Sequence, residues 1–157
     1  MPLQFEAIPT SAARNAQNGD PDANGQIPER VISDGNGNPC RHCLTDITKG
    51  SEMLILGYRP FPTRQPYAEV GPIFLCADAC ERYVSSEALP EMFANSSELL
   101  VRGYDAQDRI VYGTGQVTGT DQIAKTITAG LENPNISYYH LRSASNNCFQ
   151  AKVRRVG

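Results

Sequence analysis

Four of the five cysteines in this sequence fall into two close pairs, Cys40-Arg41-His42-Cys43 and Cys76-Ala77-Asp78-Ala79-Cys80, with 32 residues between them. A C-x2-C pair suits a tight knuckle in which both sulfurs face one ion, and C-x3-C sets two sulfurs one helical turn apart on the same face. Together Cys40, Cys43, Cys76 and Cys80 supply the four thiolates of a closed tetrahedral site, and zinc is the metal expected there. A site closed by four thiolates leaves no position for water or substrate, so its expected role is structural. Buried free thiols and a redox pair at Cys40 and Cys43 are the competing readings. A redox pair normally sits at a helix N-terminus straight after a strand, whereas Ser33 to Pro39 ahead of Cys40 is rich in Gly and Asn. His42, between the first two cysteines, reads as an exposed knuckle residue or a substitute ligand.

A second constellation runs from His140 to Cys148, where an imidazole, a guanidinium, hydroxyls and a lone thiol lie within nine residues. Cys148 with His140 and Arg142 could form a nucleophilic site for an anionic substrate. His140, Arg142, Ser143 and Asn146 could instead bind a small anionic ligand without chemistry. The plainest alternative is a hairpin carrying a satisfied histidine and a half-buried thiol. Register decides among these: with Asn146 and Asn147 as a two-residue loop, His140 and Arg142 share a face with Phe149, Ala151 and Val153, and Cys148 lies opposite. One more loop residue reverses that relation.

The elements that must position these residues follow from periodicity and turn chemistry. Leu3 to Ile8 alternates as a first strand, Ser11 to Asn18 is a short Ala-rich helix, and Gly19 to Asn38 reads as a long loop. Met53 to Leu56 and Gly71 to Leu75 are buried strands, separated by a wide loop with prolines at 60, 62 and 66. Ala77 to Ser85 has helix-forming character, which would complete a knuckle, hairpin and helix on the plan of a treble clef. Leu89 to Phe93 suggests a short helical turn. Leu99 to Tyr104 and Arg109 to Val117 are strands joined by an Asp-rich turn. Ile123, Ile127 and Leu131 recur every four residues, so Thr120 to Glu132 is an amphipathic helix with Thr120 as N-cap and Pro134 beyond its end. Strands at Tyr138 to Ser143 and Phe149 to Val156 close the chain. Gly113 and Gly115 fall inside a strand pattern and suit a bulge better than a phosphate loop, and Lys152 to Arg155 reads as a solvated edge strand.

The expected fold is α+β: a mostly antiparallel sheet, one main helix packed on it, and a treble-clef-like cysteine module. By length the 157 residues make a single domain, with an N-terminal strand and loop over 1–39, the module over 40–86 and strands with the helix over 99–157. No apolar run approaches the roughly 18 residues of a membrane span, and the N-terminus lacks the pattern of a secretory signal, which points to the cytoplasm and to reduced thiols. A net charge of −3 gives no general affinity for nucleic acid, although a treble-clef module could still serve that role. Removal of a structural zinc is expected to disorder at least residues 40 to 86.

The spans Asp34 to Leu44, Tyr58-Arg59-Pro60-Phe61, Gly71-Pro72-Ile73-Phe74, Cys80-Glu81-Arg82-Tyr83 and His140 to Ala144 resemble a family of small bacterial proteins catalogued as domain of unknown function 1203. The resemblance covers nearly the whole chain. It implies a bacterial source and one domain, and it carries no activity or functional residues. The reading that results is a zinc-stabilised, non-catalytic domain that binds a small anionic ligand or a protein near His140 to Cys148. An enzyme of hydrolase or transferase type using Cys148 is the alternative.

Overall fold

A computed structural model describes residues 2–156. It contains β1 (Leu3–Glu6), α1 (Thr10–Gln17), β2 (Glu29–Ile32), β3 (Glu52–Tyr58), β4 (Gly71–Cys76), β5 (Glu98–Tyr104), β6 (Gln116–Gly119), α2 (Ile123–Gly130), β7 (Tyr138–Ser143) and β8 (Phe149–Arg155). The pairings between these strands are all antiparallel, so the class is α+β. Two compact units result, each discontinuous in sequence: one has the chain up to Glu6, Phe61–Glu69 and everything from Val84 onward, the other Ala7–Pro60 and Val70–Tyr83.

In the first unit five strands lie in the order β1-β8-β7-β5-β6. Side chains alternate across a strand, and β7 shows what that does here. Tyr139 and Leu141 point to one face, where they meet Leu3, Phe5, Val101 and Val153 together with Ile123 and Ile127 of α2. Tyr138 and His140 point to the other, where Phe61 and Tyr104 pack against them. The strand is therefore buried from Tyr138 through Arg142 because both faces of the sheet are covered, one by a helix and one by the Phe61–Glu69 loop. That loop is tied down by Thr63 Oγ1 and Gln65 Nε2, which donate to the Asp108 carboxylate (3.3 Å) and carbonyl (3.0 Å).

Three sequence expectations change in this unit. The strand expected over 109–117 forms only at Gln116–Gly119, with Ile110 in an isolated bridge to Tyr104. Thr114 bends the intervening chain: its hydroxyl accepts from the Gly103 amide (2.8 Å) and donates to the Val111 carbonyl (2.6 Å). The helix begins later than expected, after a 3-10 turn at Thr120–Gln122, and Thr120 is not its cap; the Thr120 amide bonds to the Ser97 carbonyl instead. β8 is not an edge, since it lies between β1 and β7, and Arg154 bonds Glu6 at 2.9 Å.

In the second unit β2-β3-β4 form a small sheet. β2 lies inside the stretch expected to be a long loop; its four residues are all exposed, so no alternation of burial marks it in the sequence. The knuckle is fastened to β4 by the Arg41 amide, which donates to the Phe74 carbonyl at 3.1 Å. Leu44 turns the chain with φ 52° and donates its amide to the Cys40 carbonyl at 2.9 Å.

The expected helix over Ala77–Ser85 is not formed: after β4 the backbone is irregular up to a bridge at Ser86. Backbone carbonyls here must find partners outside any helix, and α1 supplies them. Arg14 Nη2 donates to the Cys80 carbonyl (2.7 Å), and Gln17 Nε2 donates to those of Cys76 (2.9 Å) and Asp78 (3.1 Å). The knuckle and the β3-β4 hairpin form, but the helix that a treble clef requires after them does not.

Candidate functional site

The four paired cysteines converge. Their sulfur atoms all lie within 4.8 Å of one another, with Cys40 to Cys80 and Cys43 to Cys76 at 3.9 Å each, and none is in a disulfide. For a tetrahedral ion with metal–sulfur bonds of about 2.3 Å, the sulfurs stand about 3.8 Å apart. The knuckle and the strand end thus hold four soft donors at the spacing of one metal ion, which the residues present fit without further ligands.

The surroundings suit thiolates. The Cys76 amide donates to Cys40 Sγ (3.4 Å), and the Thr45 hydroxyl lies 3.1 Å from Cys43 Sγ. His42 Nδ1 lies 3.1 Å from Cys80 Sγ, and its Nε2 lies 2.9 Å from the Thr10 hydroxyl. His42 is wholly buried rather than exposed, because α1 covers this side of the knuckle and Thr10 takes its Nε2. Hydrogen bonds from Cys40 and Cys76 hold the Cys43 thiol well below its usual range, whereas bonding to Cys40 and Cys43 pushes Cys76 up. Burial, then the charge on Cys40 and Cys43, pushes Cys80 up to about 12. One thiolate thus opposes the next, and a divalent cation bound at the centre would remove that conflict. A cleft of about 210 Å³ beside Cys76 and Cys80, lined also by Asp46, Thr48 and Asp78, gives access from solvent.

His140 and Arg142 are also brought together, but inside the first unit. Arg142 Nη2 donates to His140 Nδ1 at 3.1 Å. Since a guanidinium cannot accept, the neutral imidazole carries its proton on Nε2. Burial, and after it Arg142, Arg102 and Lys152, hold the His140 pKa well below the usual range. The ring is enclosed by Phe61, Tyr104, Tyr138 and Phe149 at centroid distances of 4.6 to 5.4 Å, and Nε2 has no hydrogen-bond partner. Register explains Phe149: a bulge between Leu141 and Arg142 sets Arg142 opposite Phe149 but Leu141 opposite Ala151. His140 and Arg142 therefore share a face with Phe149, while Ala151 and Val153 join Leu141 on the other.

Cys148 stands apart from that pair. Its thiol lies 3.8 Å from the Asn146 carbonyl at the hairpin tip, and its amide donates to Ser143 Oγ at 2.9 Å. Neither nitrogen of His140 is taken by this thiol, since Nδ1 meets Arg142 and Nε2 meets nothing. Ser143, through that amide bond, and Asn146, through its carbonyl, close the turn around Asn147, whose φ is 58°.

Sequence reasoning missed Arg102 and Glu69. Arg142 Nη1 and Arg102 Nη2 each stand 2.9 Å from the same Oε1 of Glu69. Arg102 also donates from Nε to the Tyr104 hydroxyl at 2.8 Å. The signal lay in the alternation of β5, which sets Arg102 beside Tyr104 on one face, but nothing in the sequence gives the partner strand or the covering loop.

The family profile described as "Protein of unknown function (DUF1203)" matches residues 37–155. The chain belongs to the DUF1203 family. This match spans all five cysteines, His140 and Arg142, in keeping with the resemblance read from the sequence. No curated protein and no solved structure matches the chain. Among the described residues no helix is long and apolar enough to cross a membrane.

Proposed function

We propose that this DUF1203 protein is a non-catalytic binding domain of the bacterial cytoplasm, built around a structural zinc ion on Cys40, Cys43, Cys76 and Cys80. The observation that carries the reading is the mutual approach of the four sulfurs within 4.8 Å. Zinc is favoured over harder ions because every donor is a soft thiolate, and over a catalytic role because four thiolates complete its coordination. Reduced thiols and the family resemblance support the bacterial cytoplasm. The non-catalytic reading rests on His140: its ring is enclosed, its Nδ1 is occupied, and Cys148 does not meet it. The ligand is a small anion, because the buried Arg142 and the partly buried Arg102 stand on the His140 side of the sheet; a protein partner is the alternative.

Elemental mass spectrometry of protein purified without added metal tests the metal, alongside a thiol count on native and denatured forms. The expected result is about one zinc per chain, with the four paired thiols protected and Cys148 reactive. Absence of metal with five equally reactive thiols overturns the reading, and iron in place of zinc overturns the choice of ion.

A further inference from the structure

We infer that Arg102 and Arg142 form a binding site for a small carboxylate, which the side chain of Glu69 occupies in the ligand-free protein. The inference rests on the reading of this chain as a binding domain for a small anion, and it names the site and the class of that anion.

The site is built from the sheet. Arg102 on β5 pairs directly with His140 on β7, and Arg142 follows two residues on, so the three side chains share one face. The two guanidinium groups converge on one oxygen atom of Glu69, each at 2.9 Å. Arg142 is 3% exposed, and its Nε has no hydrogen-bond partner. His140 beside it is 0% exposed and has an unpartnered Nε2–H. Buried donors are nearly always satisfied in folded proteins, so the orphaned Nε on the same guanidinium that reaches Glu69 marks a place organised for more than its present contacts.

Glu69 differs from the residues it holds. It belongs to the Phe61–Glu69 loop rather than the sheet, and its side chain is 45% exposed. Its carboxylate is therefore the movable member, and a carboxylate arriving from solvent meets two guanidinium groups that already converge on one oxygen position. Two arginines converging on one point are unfavourable without an anion, since like charges at close range repel and Arg142 is largely removed from water. An occupant is required; Glu69 fills that need when no ligand does.

Because Glu69 is tethered, it competes at an effective concentration on the order of millimolar. A free carboxylate must displace it, and the apparent affinity falls by the fraction of time the site is closed. Removing Glu69 should make binding tighter, which is the opposite of what loss of a ligand contact does.

The test uses the full-length protein with acetate as probe, and chloride and inorganic phosphate as controls, at constant ionic strength. Wild type, Glu69→Ala and Glu69→Gln are compared by thermal unfolding and by the arginine side-chain NMR signals. The expected result is an acetate-specific rise in Tm and a shift of the Arg142 Nε signal, with a midpoint about 10- to 100-fold lower in the variants than in wild type. Adding Arg102→Met should abolish both. If Glu69→Ala does not fold, Glu69→Gln, which keeps the side chain's shape, carries the comparison. Equal responses to acetate and chloride overturn the inference, and a stronger response to inorganic phosphate overturns the ligand class. Zinc is measured in the same samples: one zinc per chain without an acetate effect overturns this inference alone, and an acetate effect without zinc overturns the metal reading alone.

Discussion

The cysteine-bearing unit has a three-stranded sheet, an outer strand exposed along its whole length, and a stretch from Ala77 to Tyr83 whose carbonyls depend on Arg14 and Gln17. The other unit has five strands, a helix on one face and a covering loop on the other, and its central strand is buried on both sides. One region gathers its soft donors beside a cleft open to solvent, and the other gathers its histidine and Arg142 beside an aromatic layer. Each unit therefore draws its stability from a different source. The first has an irregular backbone that one ion can hold, and apparent binding energies of structural zinc run to roughly 10–16 kcal/mol. The second has enough apolar burial to enclose an uncharged histidine and a charged arginine without a metal.

Substitution at the metal site should have the largest effect and sharpen the contrast. Cys40→Ser removes the sulfur that is 0% exposed and accepts from the Cys76 amide. It should abolish stoichiometric zinc and leave Ala7–Pro60 and Val70–Tyr83 without a cooperative transition, which elemental analysis and thermal unfolding would detect. Next comes the aromatic layer: Phe61→Ala should destabilise the sheet unit by about 3–5 kcal/mol, the usual cost of deleting a buried phenyl ring, while zinc content stays unchanged. A loss below about 1 kcal/mol, well short of that range, would show that the loop does not cover the sheet in solution.

Acid should act on the sheet unit through His140. Its folded pKa is depressed, so the unfolded chain takes up the proton first, and the stability contributed by the neutral ring is complete above about pH 6.5. Below that, about 1.4 kcal/mol should be lost per pH unit until the folded form protonates as well. Denaturant unfolding of wild type and His140→Asn, which keeps an acceptor near the Nδ1 position, isolates this contribution; parallel pH profiles would sink it. The smallest effect is expected at the hairpin tip: Cys148→Ser should change stability by no more than about 0.5 kcal/mol. A large loss there would place Cys148 inside the His140 cluster, contrary to its contact with Asn146.

Spacing made the metal cluster legible, because four thiols in two pairs leave few other uses. Alternation made β1 legible and fits β5, whereas β3 showed as an unbroken apolar run and β7 is buried on both faces. β2 escaped because it buries nothing, and the segment after Cys76 misled because its carbonyls are taken by side chains far off in sequence, as the bond from Gln17 to the Asp78 carbonyl, 61 residues on, illustrates. His42 looked exposed because a knuckle alone gives no hint of the helix lying over it. For the arginine pair, Arg142 was visible as a charge at a hairpin, but its partners Arg102 and Glu69 come from a neighbouring strand and a loop that only the tertiary pairing brings near.

The central claim is that one metal ion organises the cysteine unit and leaves the sheet unit to its own core. Amide hydrogen exchange before and after chelation tests this most directly. Loss of protection at the Arg41, Leu44, Ile47 and Tyr83 amides, with Val101, Leu141 and Ala151 still protected, is the result expected. Unchanged exchange at the first set after metal removal, or equal loss in both, would contradict it.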